Sequence, residues 1–124
     1  MRIENGADIH GRLGLLADAT RTRLLLVLGR HELSVNELCA ALQLPQSTVS
    51  RHLKLLTDEG WLATRAEGPS RYYRLGTRLD GTSRRLWGVV REDLAGRPEA
   101  AEDEARAQQA VSRRRTRSQE FFST

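Results

Sequence analysis

Lysine is almost absent from this 124-residue chain: of its 20 basic residues only Lys54 is not an arginine. Cysteine is as scarce. Cys39 stands alone, so neither an internal disulfide nor a thiolate cluster can form, which removes disulfide scaffolds and zinc fingers from consideration. No apolar run approaches the roughly 20 residues that a membrane-crossing helix needs, and the opening MRIENGADIH lacks the basic-then-apolar order of a secretion signal. A soluble, cytoplasmic protein of single-domain size is expected, with no membrane partner. Also missing are paired carboxylates framed by glycines, a nucleophile elbow and a phosphate-binding loop. The expectation is a protein that binds rather than catalyses, with no cofactor.

One further absence is local. The net charge of +4 is modest and by itself a weak pointer to nucleic acid, because position matters more than sum. Between Pro45 and Thr57, however, stand Arg51, His52 and Lys54 and no acid at all, in a chain that carries 16 acids elsewhere.

The apolar pattern places that stretch on a helix. Ile9, Leu13, Leu16 and Ala17 recur at helical spacing despite Gly11 and Gly14. Asp18 is a suitable N-cap for a second helix, ATRTRLLLVLGR, which Gly29 should end. Arg21 and Arg23 fall on its polar side and are expected to be solvated. Ser34 and Glu37 have capping-box spacing ahead of SVNELCAAL, whose stripe of Val35, Leu38, Cys39 and Leu42 points to the core. Gln43 and Leu44 connect it to a helix opened by Pro45, a residue tolerated in a first turn because its missing amide proton costs little there.

At 100° per residue Val49, Leu53 and Leu56 cluster on the inner side of that helix. Ser47, Arg51 and Lys54 lie opposite, with Thr48 and Ser50 flanking and Gln46 at the exposed amino-terminal end. A solvated helix face usually mixes Glu with Lys; this one offers hydroxyls, an amide and cations. Such side chains can bond to base edges and phosphates in a major groove without repulsion. His52 projects at the edge of the inner stripe, where a phosphate contact and a structural hydrogen bond are both open.

Gly60 should stop the helix in a left-handed conformation. Trp61 to Glu67 and Arg71 to Leu75 then read as strands around Gly68, Pro69 and Ser70, with Arg65, Arg71 and Arg74 giving the hairpin a positive tip. Leu79, Leu86, Trp87, Val90 and Leu94 form a later helical stripe, left over once the core is closed and so in need of a partner. Beyond Pro98 the segment EAAEDEARAQQAVSRRRTRSQEFF is helix-prone, acids first and arginines after, an order that suits the helix dipole.

From about Leu13 to Leu75, with QSTVSRHLKLL and RYYRL as the most specific strings, the sequence resembles the ArsR/SmtB family of bacterial transcriptional repressors. The resemblance implies a mainly α fold with a small two-stranded β wing, a winged helix-turn-helix with additional C-terminal helices. Residues 1–96 would form the DNA-binding and dimerisation domain and residues 97–124 a charged extension, helical or partly disordered. It further implies a homodimer, built by pairing the carboxy-terminal helix of the domain with the first, on an inverted-repeat operator in double-stranded DNA, released by an unknown effector. Recognition helices would then enter successive major grooves roughly 34 Å apart. Gln46, Ser47, Ser50 and Arg51 are the candidates for base edges; Thr48, Lys54, Arg65 and Arg71 are those for phosphates or the minor groove.

The metal-sensing branch of the family carries a Cys-x-Cys pair in strings such as ELCVCDLC. In HELSVNELC here Ser34 and Asn36 take those places, Cys39 alone remains, and no histidine follows His52. No metal site is expected, since soft divalent ions need several nitrogen or sulfur ligands. His10 and His31 lie on other elements and are expected to have surface or packing roles. The strings RRLWGVVREDL and RRRTRSQEFF resemble the link by which ArsR-type domains are fused to S-adenosylmethionine-dependent methyltransferases. The alternative expectation is therefore the amino-terminal regulatory module of such a fusion, although no glycine-rich cofactor loop occurs within these residues.

Overall fold

The computed structural model describes residues 8–123, with side chains as far as residue 120; those of Phe121 and Phe122 lie outside the described residues. Helix α1 (Ile9–Leu16) begins at Asp8, whose carboxylate accepts from the Gly11 amide at 2.7 Å. Helix α2 (Ala19–Leu28) begins, as its sequence predicts, at Asp18, which accepts from the Arg21 amide at 3.0 Å. A short strand β1 (Leu33–Ser34) leads directly into α3 (Val35–Leu42). There the capping box is complete: the Glu37 amide donates to Ser34 Oγ at 3.3 Å and the Ser34 amide to Glu37 Oε1 at 2.9 Å. Helix α4 (Gln46–Asp58), strands β2 (Leu62–Glu67) and β3 (Ser70–Leu75), and helices α5 (Gly81–Ala95) and α6 (Pro98–Ser123) follow.

The expected two-stranded wing has a third strand. β1 pairs with β3, Leu33 opposite Tyr73 and Ser34 opposite Tyr72, so the antiparallel order is β1-β3-β2. Two residues are too short for any alternating pattern to announce a strand. The turn is tighter than expected: Glu67 pairs with Ser70, leaving Gly68 and Pro69 between the strands, with Gly68 at φ 58°.

Between α3 and α4 the chain turns through Gln43, which holds left-handed geometry at φ 55° without being glycine. Such a residue costs on the order of 1 kcal/mol, which the core on either side offsets. Leu38 and Leu42 of α3, Val49, Leu53 and Leu56 of α4, Leu24, Leu25 and Leu28 of α2, Leu33 and Trp61 are all essentially inaccessible. Gly60 takes φ 83°, as its place after α4 predicts.

Helix α6 lies along α3 and α2. Its inward stripe is Asp103, Ala107 and Ala110, buried at helical spacing, and Ala107 joins the main hydrophobic cluster. Asp103 is 3% exposed and accepts from Arg23 Nε at 2.8 Å and from Arg106 Nη2 at 2.9 Å. The same two arginines donate onward to the end of α3, Arg23 to the Leu42 carbonyl at 2.7 Å and Arg106 to the Ala41 carbonyl at 2.7 Å. Those carbonyls have no partners within their own helix and need outside donors.

This corrects the expectation that Arg21 and Arg23 are solvated. Arg21 is engaged as well, donating to the Leu15 carbonyl at 2.7 Å and the Gly14 carbonyl at 3.0 Å at the end of α1. Both arginines close helix ends that a polar stripe on α2 gives no sign of. Among the described residues no helix is long and apolar enough to cross a membrane.

Candidate nucleic-acid interface

The outer face of α4 is built by the inner one. With Val49, Leu53 and Leu56 fully inside, the 3.6-residue period leaves Gln46, Ser47, Arg51 and Lys54 exposed and Thr48 and Ser50 half-buried at the margin. Arg51 has no hydrogen-bond or ion-pair partner among the described residues, and the side chains of Gln46, Ser47, Thr48 and Ser50 make no bond either. Lys54 reaches Asp58 at 2.9 Å, but the two side chains are 79% and 58% exposed. A pair that open to water is weak and readily exchanged for another anion.

The wing contributes unequally from its two faces. Successive strand residues point to opposite sides, and the register sets Thr64 opposite Tyr73, Arg65 opposite Tyr72 and Ala66 opposite Arg71. Arg71 thus shares a side with Thr64, to whose hydroxyl it donates at 3.1 Å, and both line a shallow depression with Ser50 and Lys54 of α4. Arg65 is on the reverse side. It is bound to Glu32 at 2.6 Å and to Glu67 at 2.6 Å. The Arg65 hydrogen bond, helped by the charges of Arg74 and Arg114, holds the Glu32 carboxyl below the usual range.

The positive tip read from the sequence is therefore two half-tips. Arg71 continues the α4 surface, while Arg65 is neutralised behind it.

His52 is 9% exposed. Arg21 Nη1 stands 3.5 Å from its Nδ1. Burial pushes the imidazole below its ordinary value, the Arg21 and Arg51 charges add to this, and Asp18 opposes it. The geometry favours the structural alternative over a phosphate contact.

Among the described residues no three His, Cys, Asp or Glu side chains gather as a metal would require. His31 Nε2 stands 2.7 Å from the Glu104 carboxylate of α6, which accepts from it. Cys39 is half-buried against the core, and burial raises its thiol above the ordinary value, which keeps it protonated.

Comparison with known proteins yields a consistent group. A model of the MarR family matches residues 17–71, from the end of α1 into β3. The arsenic resistance transcriptional regulator ArsR1 of Pseudomonas putida is 49% identical over 61 residues, covering 48% of this chain and 48% of that protein. The arsenical resistance operon repressor of Escherichia coli is 42% identical over 66 residues, covering 52% of this chain and 56% of that protein. The chain thus spans about half the length of these curated relatives. The crystal structure of a transcriptional regulator, HlyU from Vibrio vulnificus, is 35% identical and superposes with a TM-score of 0.56 over 66% of this chain and 82% of that one.

Proposed function

The chain belongs to the ArsR family of winged helix-turn-helix transcriptional regulators, and from that premise we propose that it is a cytoplasmic, homodimeric repressor of the inverted-repeat type. The observation that carries the reading is the outer face of α4: exposed, free of acid from Gln46 to Thr57, and with no partner for Arg51 among the described residues. Donors and cations left free on a helix that projects from a rigid core are what a major groove requires. In this reading Gln46, Ser47, Ser50 and Arg51 meet base edges, and Thr48, Lys54 and Arg71 meet phosphates or the flanking minor groove. Arg65 contributes least, because two carboxylates already hold it.

Support for the dimer comes from α1 and α5. Arg12 of α1 donates to Asp80 at 2.6 Å and to Ser83 at 3.0 Å, fastening the two helices together at the start of α5. The stripe read as left over for a partner packs inward instead, Trp87 in the main cluster at 4% exposure and Leu79, Leu86 and Val90 against it, and what the two helices leave on the surface is Ile9 42%, Leu13 48% and Val89 69% exposed. Large aliphatics at these positions gain by meeting a second copy.

The test is a pair of variants titrated by fluorescence anisotropy against a duplex that the protein itself selects from a random library. Arg51→Ala should weaken binding by about 2 kcal/mol and relax base preference. Lys54→Ala should weaken every sequence alike and reduce the slope of log affinity against log salt by about 0.9. Undiminished affinity in both variants would remove α4 from the interface.

A further inference from the structure

The wing is a small element with little to hold it. β1 contributes two residues to its edge, and beyond Leu62 the β2 side chains grow exposed toward the turn. A hairpin of this size is at best marginal without packing on one face. Its α4 side carries Arg71, aimed where DNA is proposed to lie. Its reverse side carries Tyr72, and what meets Tyr72 comes from the far end of the chain.

Arg114, on the last turns of α6, does three things at once. Its guanidinium carbon lies 4.9 Å from the centre of the Tyr72 ring, which Arg65 also approaches, at 5.0 Å. Its Nη2 donates to the Glu32 carbonyl at 3.1 Å, on the segment that enters β1. Its Nε stands 3.4 Å from Glu37 Oε2, the oxygen of that carboxylate not used in the α3 capping box. A planar guanidinium can stack and donate in its own plane together, which an ammonium cannot. One side chain therefore joins α6, the start of α3 and the reverse face of the wing.

We propose that Arg114 is a positioning residue for the DNA-reading wing: by clamping Tyr72 from behind, it fixes the angle at which neighbouring Arg71 meets the duplex. Successive residues of β3 point to opposite faces, so holding the Tyr72 ring in place sets the direction of Arg71. The same helix is fixed near its other end to the carbonyls that close α3, by Arg106 directly and by Asp103 through Arg23, so the clamp has a rigid base. The C-terminal helix is thereby part of the reading apparatus, not an appendage beside it. The inference rests on the DNA-binding reading above.

A double-mutant cycle tests it. Affinity for the library-selected duplex is measured for Arg114→Ala, Arg71→Ala and the double variant, with Arg51→Ala and its own combination with Arg114→Ala as the control pair. Arg114→Ala, which lies off the proposed contact face, should weaken binding by about five-fold. In its background Arg71→Ala should lose most of its effect, because contacting residues that depend on one another are non-additive. Arg51→Ala should keep its full effect. Hydroxyl-radical footprints should fade at the outer flanks and persist over the central grooves.

General loss of structure would depress all contacts alike and cannot give this pattern. Tyr72→Leu, which keeps the bonds of Arg114 to Glu32 and Glu37, serves as a second variant if Arg114→Ala fails to fold, and the same selective coupling is expected. Additive effects of Arg114→Ala and Arg71→Ala, or wild-type affinity in Arg114→Ala, overturn the proposal. So does a silent Arg71→Ala, although a normal effect of Arg51→Ala would then leave the recognition-helix reading standing. Failure of the wild-type protein to bind any duplex would instead defeat that reading.

Discussion

The arginines of α4 and the arginines against α6 are chemically the same group put to opposite uses. Arg51 is exposed and has no partner among the described residues, whereas Arg23 and Arg106 share a carboxylate that is 3% exposed and donate again to the carbonyls closing α3. In a chain whose cations are nearly all arginine, composition cannot separate binding from architecture. Engagement can. A guanidinium tied to a buried carboxylate and to helix-end carbonyls is holding the fold, and one left exposed without such partners is available to a ligand.

The strongest way to break this comparison is to remove the anion on which the architectural set depends. Asp103→Ala leaves Arg23 and Arg106, both at least two-thirds covered, facing each other without a counter-charge. Breaking a buried pair from one side typically costs 3 to 5 kcal/mol, and the partial exposure of the arginines brings the expectation down to about 3 kcal/mol. Urea unfolding followed by far-UV circular dichroism reads it. A loss below about 1 kcal/mol would mean that the carbonyls of Ala41 and Leu42 anchor the arginines well enough without Asp103.

A smaller effect tests whether engagement can be reversed. Glu32→Gln removes one of the two carboxylates on Arg65, a solvent-exposed pair whose loss should cost little stability. If Arg65 is idle only because it is neutralised, the variant should bind DNA with a salt slope steeper by up to about 0.9, as one further phosphate contact gives. An unchanged slope means that its place on the reverse face of the wing, not its partners, keeps Arg65 from the duplex.

How much of this could be read beforehand follows from the distance over which each signal acts. The capping box of Ser34 and Glu37, the N-cap at Asp18 and the inner stripe of α4 are local, and the sequence states them directly. The split between Arg65 and Arg71 was within reach too. Once Gly68 and Pro69 form a two-residue turn, the alternation of strand residues places the two arginines on opposite faces. Treating the charges as one tip overlooks that period. The engagement of Arg23 by Asp103 spans 80 residues and that of Glu32 by Arg114 spans 82. No periodicity within either helix encodes such pairings. Left-handed Gln43 is likewise silent, since a glycine or asparagine would have signalled the turn and glutamine does not.

His52 feels one arginine of each kind, Arg21, which closes α1 and stands 3.5 Å from its Nδ1, and exposed Arg51 next to it in the chain, and gives the smallest of the expected effects. Burial is the main reason its imidazole titrates below the ordinary value; the two guanidinium charges reinforce it and the Asp18 carboxylate works against them. The depressed value means that below pH 6.5 the unfolded chain binds a proton that the folded chain still refuses. Stability contributed by the neutral ring is therefore complete above that pH and declines as the solution is acidified through it. Urea midpoints taken from about pH 8 to about pH 5 should fall in the wild-type protein and fall less steeply in His52→Gln, which has no proton to gain. Equal slopes would show that the acid sensitivity belongs to other groups and that the imidazole is already accommodated as a cation beside Asp18.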